Sequence, residues 1–365
     1  MPTLYLTEEY SFVRRENQEC LLVQIPERKG KNGTAPSPAR KERVPLLKVD
    51  EVVVVGDVTL TASAIHALLE REIEITFLGH HGQFKGRVSP PLSKNAVLRM
   101  AQYRAHQEMS SRCELARRFV IGKLSNQRLR LQRMQRTRKE ADIQRSINQL
   151  AEILATLENL PMQQASARRV LASGEQGIEG TVLGTILGLE GAGSAAYFRC
   201  FQTFLTNQQQ WPFPGRVKRP ATDPVNALLS FGYALLTSKV AHAVQVVGFD
   251  HYIGYPHSTI AGRPALALDL MEEFRPLIVD SIVVELLNHR VLTPADFVEK
   301  VGAYQLKPEK RAVFFTKFEE RLNEEIQHPL FGYRTSYRRC LELQARLLAK
   351  TVTGEIDTYP PFLIR

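Results

Sequence analysis

Three segments of this chain carry residue types that could do chemistry together. The first is Glu190 in TILGLEGAGSAAYF (185–198), the only acid between Glu179 and Asp223. Small residues surround it, which lets another backbone or a ligand come close. A glutamate in an apolar helix is costly to bury without a partner, so Glu190 is either matched or an exposed helix residue. The second is His257 in YPHST. A lone loop histidine is more often a surface residue than a ligand. The third is LDLMEEFRP (268–276). On a helix Asp269 shares a face with Glu272 and Glu273, and like charges at that spacing repel. Arg275, a cation or water must compensate them, unless this is only a solvated acidic turn near a helix start. Carboxylates with one imidazole suit a hard divalent ion, Mg2+ or Mn2+, better than structural zinc. In a basic chain such a group points to metal-assisted phosphodiester chemistry.

The charge is there. Lys and Arg total 48 against 38 Asp and Glu, a net charge of +10. Such a surplus suggests a polyanionic partner. Residues 112–139 hold ten Lys or Arg against one acid, Glu114. Cations packed that densely need a counter-charge, which a phosphate backbone supplies, or they form a solvated helix face. A second basic group, Arg216, Lys218 and Arg219, sits near Trp211, the only tryptophan. An aromatic with three cations on a loop suits splayed or single-stranded DNA, where bases stack.

Two kinds of element must position these groups. Residues 1–90 read as a small β-rich domain. Tyr10 to Ile25 holds two strand-like runs around Glu16-Asn17, a hairpin pattern, and 49–61 and 73–88 are rich in Val, Ile, Thr and Phe. Between them Thr61 to Arg71 has helical spacing. Residues 27–43, with six basic and two acidic residues, read as a flexible basic loop. After Ser89-Pro90-Pro91 the apolar residues recur at threes and fours, as in Ile143, Ile147, Leu150, Leu154 and Leu157. Helical patterns follow at 111–135, 181–205, 224–247, 268–290, 294–302, 308–327 and 333–350. Residues 207–223 and 248–264 are loops. The expected class is α+β: a small N-terminal β-rich domain (1–90), then a larger all-α catalytic domain (91–365).

Several classes are disfavoured. There is no GxxxxGK[ST], HExxH or GxSxG, and no GxGxxG after a strand. No apolar run is expected to reach the roughly 18 residues of a membrane span. The first residues are not expected to form a secretory signal. Cys20, Cys113, Cys200 and Cys340 are far apart. That spacing disfavours a zinc ribbon or disulfide scaffold and suits a reducing, cytoplasmic setting.

The chain resembles the CRISPR-associated adaptation integrase, the universal "Cas one" endonuclease family. The matching stretches include KNAVLRMAQYRA (94–105), GLEGAGSAAYF (188–198), RVKRPATDPVNALLSFGYALL (216–236), GFDHYIGYPH (248–257) and GRPALALDLMEEFRPLIVD (262–280). They run in order over nearly the whole chain. The resemblance implies an N-terminal domain that dimerises and a helical domain bearing the active site. It implies metal ligands at Glu190, His257 and Glu272, with Asp269 beside them and Glu273 as the competing third ligand. It implies a homodimer working with a small "Cas two" protein on duplex DNA with 3′ ends and on CRISPR repeat DNA. The 27–43 segment and the glutamine run of the 207–223 loop depart from the family pattern.

The reaction so implied is attack of a spacer 3′-hydroxyl on a repeat-end phosphodiester, with a bound cation stabilising the developing charge. Arg99, Arg216, Lys218, Arg219 and Arg275 would hold phosphates. Asn226 and Tyr233 suit packing as well as DNA contact. The alternatives are a metal-dependent nuclease or branched-DNA resolvase in repair, and a non-catalytic DNA-binding scaffold whose acids only cap helices.

Overall fold

A computed structural model describes residues 3–27, 38–79, 84–90, 95–161, 182–217, 220–257 and 260–364. Most of the 27–43 loop, together with Lys218 and Arg219, lies outside them. The chain divides into two compact units, residues 1–92 with 306–319, and residues 93–305 with 320–365.

The first unit is built on strands β1 (Thr3–Leu6), β2 (Phe12–Arg15), β3 (Cys20–Ile25), β4 (Arg40–Pro45), β5 (Glu51–Val55), β6 (Thr59–Leu60), β7 (Glu74–Leu78) and β8 (Phe84–Val88), with helix α1 (Ala62–Leu69). They form two four-stranded sheets, β1-β5-β7-β8 and β4-β3-β2-β6. The β2–β3 hairpin turns where the sequence places it, with Asn17 Oδ1 accepting the backbone N–H groups of Glu19 and Cys20. Strand β5 is buried along its whole length and pairs in parallel with both neighbours. A continuous valine run therefore fits it better than an alternating pattern. Thr61 caps α1 by accepting the Ala64 N–H. One expectation changes: Arg40, Lys41 and Arg43 of the basic loop stand on β4, an exposed strand paired only with β3 in its sheet. Charged side chains on an edge strand discourage further pairing.

The second unit is mainly helical: α2 (Ala96–Gln107), α3 (Met109–Arg138), α4 (Ala141–Glu158), α5 (Val182–Arg199), α6 (Pro224–Val247), α7 (Ala265–Met271), α8 (Val279–Asn288) and α10 (Tyr337–Val352). Helix α9 (Pro308–Asn323) divides between the two units. Helix α3 is the axis, packing on α2, α4, α5 and α7.

Three helical expectations are corrected. Residues 294–302 give one short 3-10 turn and then strand β9 (Phe297–Lys300), which pairs with β10 (Ala303–Leu306). Strands β11 (Glu325–Gln327) and β12 (Arg334–Ser336) form a second ribbon between α9 and α10. The expected 268–290 helix breaks after Met271 and resumes at Val279, because Pro276 cannot continue a helix interior. Among the described residues one helix, α6, at 24 residues, is long and apolar enough by length and composition to cross a bilayer, and 67% of its apolar window is buried inside the fold.

Candidate active site

Helix α5 reaches α3 through its small residues. A Cβ on Gly193 would lie 2.6 Å from Leu124 Cδ2, so any larger residue would force that leucine to move. One turn earlier, Glu190 meets Lys123 of α3, whose ammonium ion-pairs with Glu190 Oε1. Ser194 donates to the same oxygen at 3.0 Å. Burial pushes the Glu190 carboxyl up, but Lys123 overcomes it and holds the group below its usual range.

The break after α7 supplies the second carboxylate. Glu272 Oε2 lies 2.8 Å from Lys123 Nζ, and Glu272 Oε1 lies 3.0 Å from Arg275. Burial opposes the charged form, yet Arg275, Lys123 and His257 together pull this carboxyl down to about 2. The compensating charge expected of Arg275 is therefore present. Its neighbour Glu273 turns the other way. Its Oε2 accepts the Phe362 N–H at 3.0 Å, the Tyr359 hydroxyl at 3.2 Å and the Gln344 amide at 3.3 Å. Burial with only neutral donors raises it to about 8. Glu273 is thus on the side of the C-terminal segment, away from Lys123.

The third element is the loop after α6. Asp269 is fully buried and accepts three bonds from this loop, from Tyr255 N at 2.6 Å, His257 N at 3.1 Å and His257 Nδ1 at 2.5 Å. With Asp269 as acceptor, Nδ1 carries the proton and Nε2 keeps its lone pair. Gly254 is required here, since a Cβ would stand 2.4 Å from Asp269 Oδ2. Helices α2 and α3 fix the loop carbonyls. Arg99 donates to Gly248, Gln102 to Asp250 and Ile253, and Arg112 to Tyr255, while His106 Nδ1 lies 2.6 Å from the Gly254 oxygen.

The structure thus brings Glu190, Glu272 and Lys123 together and orients His257 through Asp269. The donor types, two carboxylates and an imidazole nitrogen, fit a hard divalent cation. Glu272 Oε2 has Lys123 as its partner and, as a carboxylate oxygen, keeps a further lone pair. Among the described residues no three histidine, cysteine or carboxylate side chains are gathered so as to hold a metal ion. The cation now between the carboxylates is the Lys123 ammonium.

Beside this cluster Arg275 and Arg216 both lie over the Tyr233 ring, at 4.7 and 5.4 Å from its centroid. Tyr233 and Tyr197 donate to the two oxygens of buried Asp280 at 2.6 and 2.8 Å, which fixes the ring. Asn226 is buried, accepting from Arg216 and Val217 and donating to Gly215 and Asp223. Asn226 and Tyr233 are therefore packing residues.

Two basic readings change. Trp211 is 1% exposed and meets Phe297 edge-to-face at 5.9 Å, so it offers no face to a base. The basic run on α3 is in large part internal. Arg112 and Arg117 hold carbonyls, Arg118 pairs with Glu114, and Arg130 binds Pro276 O and Ser281 and stacks on Phe204. Sequence reasoning counted Lys123 only as one of ten cations. Its signal was the apolar company it keeps, Phe119, Val120, Ile121 and Leu124, all buried. Gln102 and His106 carried no comparable signal.

Comparison with known proteins bears on the family and the fold. The sequence profile of the family described as CRISPR associated protein Cas1 matches residues 4–320. The CRISPR-associated exonuclease Cas4/endonuclease Cas1 fusion of Geobacter sulfurreducens is 36% identical over 366 residues, 99% of this chain and 60% of that protein. The CRISPR-associated endonuclease Cas1 1 of Chlorobaculum tepidum is 33% identical over 365 residues, 100% of this chain and 98% of that protein. The chain therefore spans about three fifths of the fusion and nearly all of the second relative. Among solved structures, a casposase bound to integration product superposes with a TM-score of 0.81 at 21% identity, covering 100% of this chain and 95% of that one. A Cas6-RT-Cas1–Cas2 complex matches with a TM-score of 0.74 at 23% identity, over 99% of this chain and 36% of that one. At those identities the likeness is one of fold.

Proposed function

The chain belongs to the CRISPR-associated Cas1 family, and on that premise we propose that it is a metal-dependent DNA endonuclease and integrase of CRISPR adaptation. It joins the 3′-hydroxyl end of a spacer duplex to a phosphodiester at the repeat. The observation that carries this reading is the convergence of Glu190 and Glu272, from segments far apart in sequence, beside an imidazole oriented by Asp269.

Glu190, Glu272 and His257 would hold magnesium or manganese, which when bound supplies charge stabilisation at the phosphoryl oxygens and eases formation of the alkoxide nucleophile. The remaining work falls to this chain's own side chains. Asp269 fixes the His257 ring and its tautomer, which leaves Nε2 as the nitrogen that would hold the metal. Arg275 keeps Glu272 ionised and, with Arg216 on the Tyr233 face, offers guanidinium groups to a phosphate close to the carboxylates. Little covalent chemistry is asked of the protein, so positioning dominates. Further along α3, Arg133 and Arg138 line a groove with Arg321, a path on which the DNA backbone could continue. Arg99, holding the Gly248 carbonyl, acts on DNA through the loop it anchors.

Two further elements follow from family membership. The first unit serves as the dimerisation domain of a homodimer. A small Cas2-type protein is the partner, as it is in the named complex of similar fold.

The test is strand transfer of a fluorescent duplex with 3′-hydroxyl ends into a supercoiled plasmid bearing a repeat, with the cognate partner, with and without Mn2+. Wild type is compared with Glu190→Ala. Metal-dependent joining lost in the variant is the expected result. Nicking without joining gives the nuclease or resolvase instead, and equal behaviour of both proteins, with salt-sensitive DNA binding intact, leaves the non-catalytic scaffold.

A further inference from the structure

Lys123 is 5% exposed, and its ammonium stands where the two carboxylates converge. Arg275 occupies the other oxygen of Glu272. The formal charges of these four side chains cancel: two carboxylates, one ammonium and one guanidinium. A set that is already neutral does not take up a divalent cation by simple addition, because the entering charge meets a positive charge lodged between its own donors. The two cations differ in how readily they can leave. Arg275 is pinned by its stacking on Tyr233, whereas Lys123 is a compact charge on a flexible stem. The same ammonium is shared between Glu190 and Glu272, lying 2.8 Å from Glu272 Oε2.

We infer that Lys123 is a built-in counter-ion that competes with the divalent metal for Glu190 and Glu272, so that the metal binds by displacing the ammonium and Lys123 sets the metal affinity of the site. This rests on Glu190 and Glu272 being the metal-holding carboxylates. Lys123 is a positioning residue. Without metal it keeps buried Glu272 and half-buried Glu190 from repelling each other and so keeps α3, α5 and the turn after α7 assembled. With metal it gives up its place.

The experiment is a Mn2+ titration of the intact protein, without DNA, read by the electron paramagnetic resonance signal of free Mn2+. Wild type is compared with Lys123→Met, Lys123→Gln and Lys123→Arg. Both neutral variants are expected to bind Mn2+ about tenfold more tightly, since one opposing charge is gone. The arginine variant stays at or below wild type. Without metal the methionine variant should unfold at lower temperature, and Mn2+ should raise its Tm by more than it raises that of wild type. Equal or weaker Mn2+ binding by the neutral variants overturns the inference while leaving the metal site in place. Absence of binding in every protein, wild type included, overturns the metal-ligand reading and the inference with it. Should the neutral variants not fold, acetic anhydride labelling of wild type, followed by mass spectrometry, decides. Greater acylation of Lys123 with Mn2+ supports displacement, and unchanged acylation overturns it.

Discussion

Glu272 and Glu273 are adjacent in sequence and identical in chemistry, yet they belong to two different regions. Glu272 faces α3 and α5, where Lys123 and Arg275 hold it ionised, with its carboxyl near 2. Glu273 faces α10 and the C-terminal segment, where burial among a phenol, an amide and a backbone N–H raises it to about 8. Both are buried. The difference is the presence of a counter-charge, so burial alone says nothing about whether an acid is available for chemistry.

The sharpest way to break this comparison is activity. Glu272→Gln keeps the shape and removes the charge, and is expected to lower strand joining by roughly a hundredfold or more. Glu273→Gln, which replaces a group mostly protonated at neutral pH, should stay within about threefold of wild type. Similar losses in gel-based joining assays would erase the distinction.

Stability comes next. Glu273→Ala empties a site filled against Gly122 and leaves Tyr359 and the Phe362 N–H without their acceptor, at a cost of about 3 kcal/mol in urea unfolding. Glu273→Gln should recover most of that. Gly254→Ala pushes a methyl into Asp269 and the Ala265 backbone, and should cost about 2 kcal/mol while disturbing His257 and joining activity together.

The pH dependence separates the two acids by sign. Glu273 has its folded pKa raised above the unfolded value, so it favours the folded state most below pH 4.5, and that contribution is lost as pH rises to about 8. Glu272 has its folded pKa depressed, so its contribution is full above pH 4.5 and is lost as pH falls to about 2. Each limb should have a slope of roughly 1 kcal/mol per pH unit. Urea midpoints across pH should show Glu273→Gln flattening the neutral limb and Glu272→Gln the acid limb.

The smallest effect concerns the groove. Arg133→Ala should leave the fold intact and reduce the salt slope of DNA binding by about one. An unchanged slope would place the DNA path elsewhere.

Much of this was legible in the sequence. The hairpin around Asn17, the Thr61 cap and the helices through 143–157 and 224–247 follow from local propensity and periodicity, which neighbouring residues set among themselves. The odd placement of Glu190, alone and acidic in an apolar stretch, left a partner as one of two readings, and Lys123 is that partner. The errors have different causes. Residues 294–302 fit a helical spacing, but 297–300 form β9 and turn back at once on β10, and Pro276 breaks the expected 268–290 helix; both causes are local. Trp211 looked available for stacking but meets Phe297, a contact made far along the chain.

The inventory can be read from the chain: which carboxylates, which imidazole, which surplus of positive charge, and the period of each element. Propensity and charge are properties of neighbours, so one chain suffices to read them. The assignments came from packing. It chose Glu272 over Glu273 for the cluster, turned Asp269 onto His257, and placed Lys123 between two carboxylates 67 and 149 positions further on. A carboxylate's charge depends on what stands within a few ångströms of it, and in this fold those neighbours come from helices that only packing brings together.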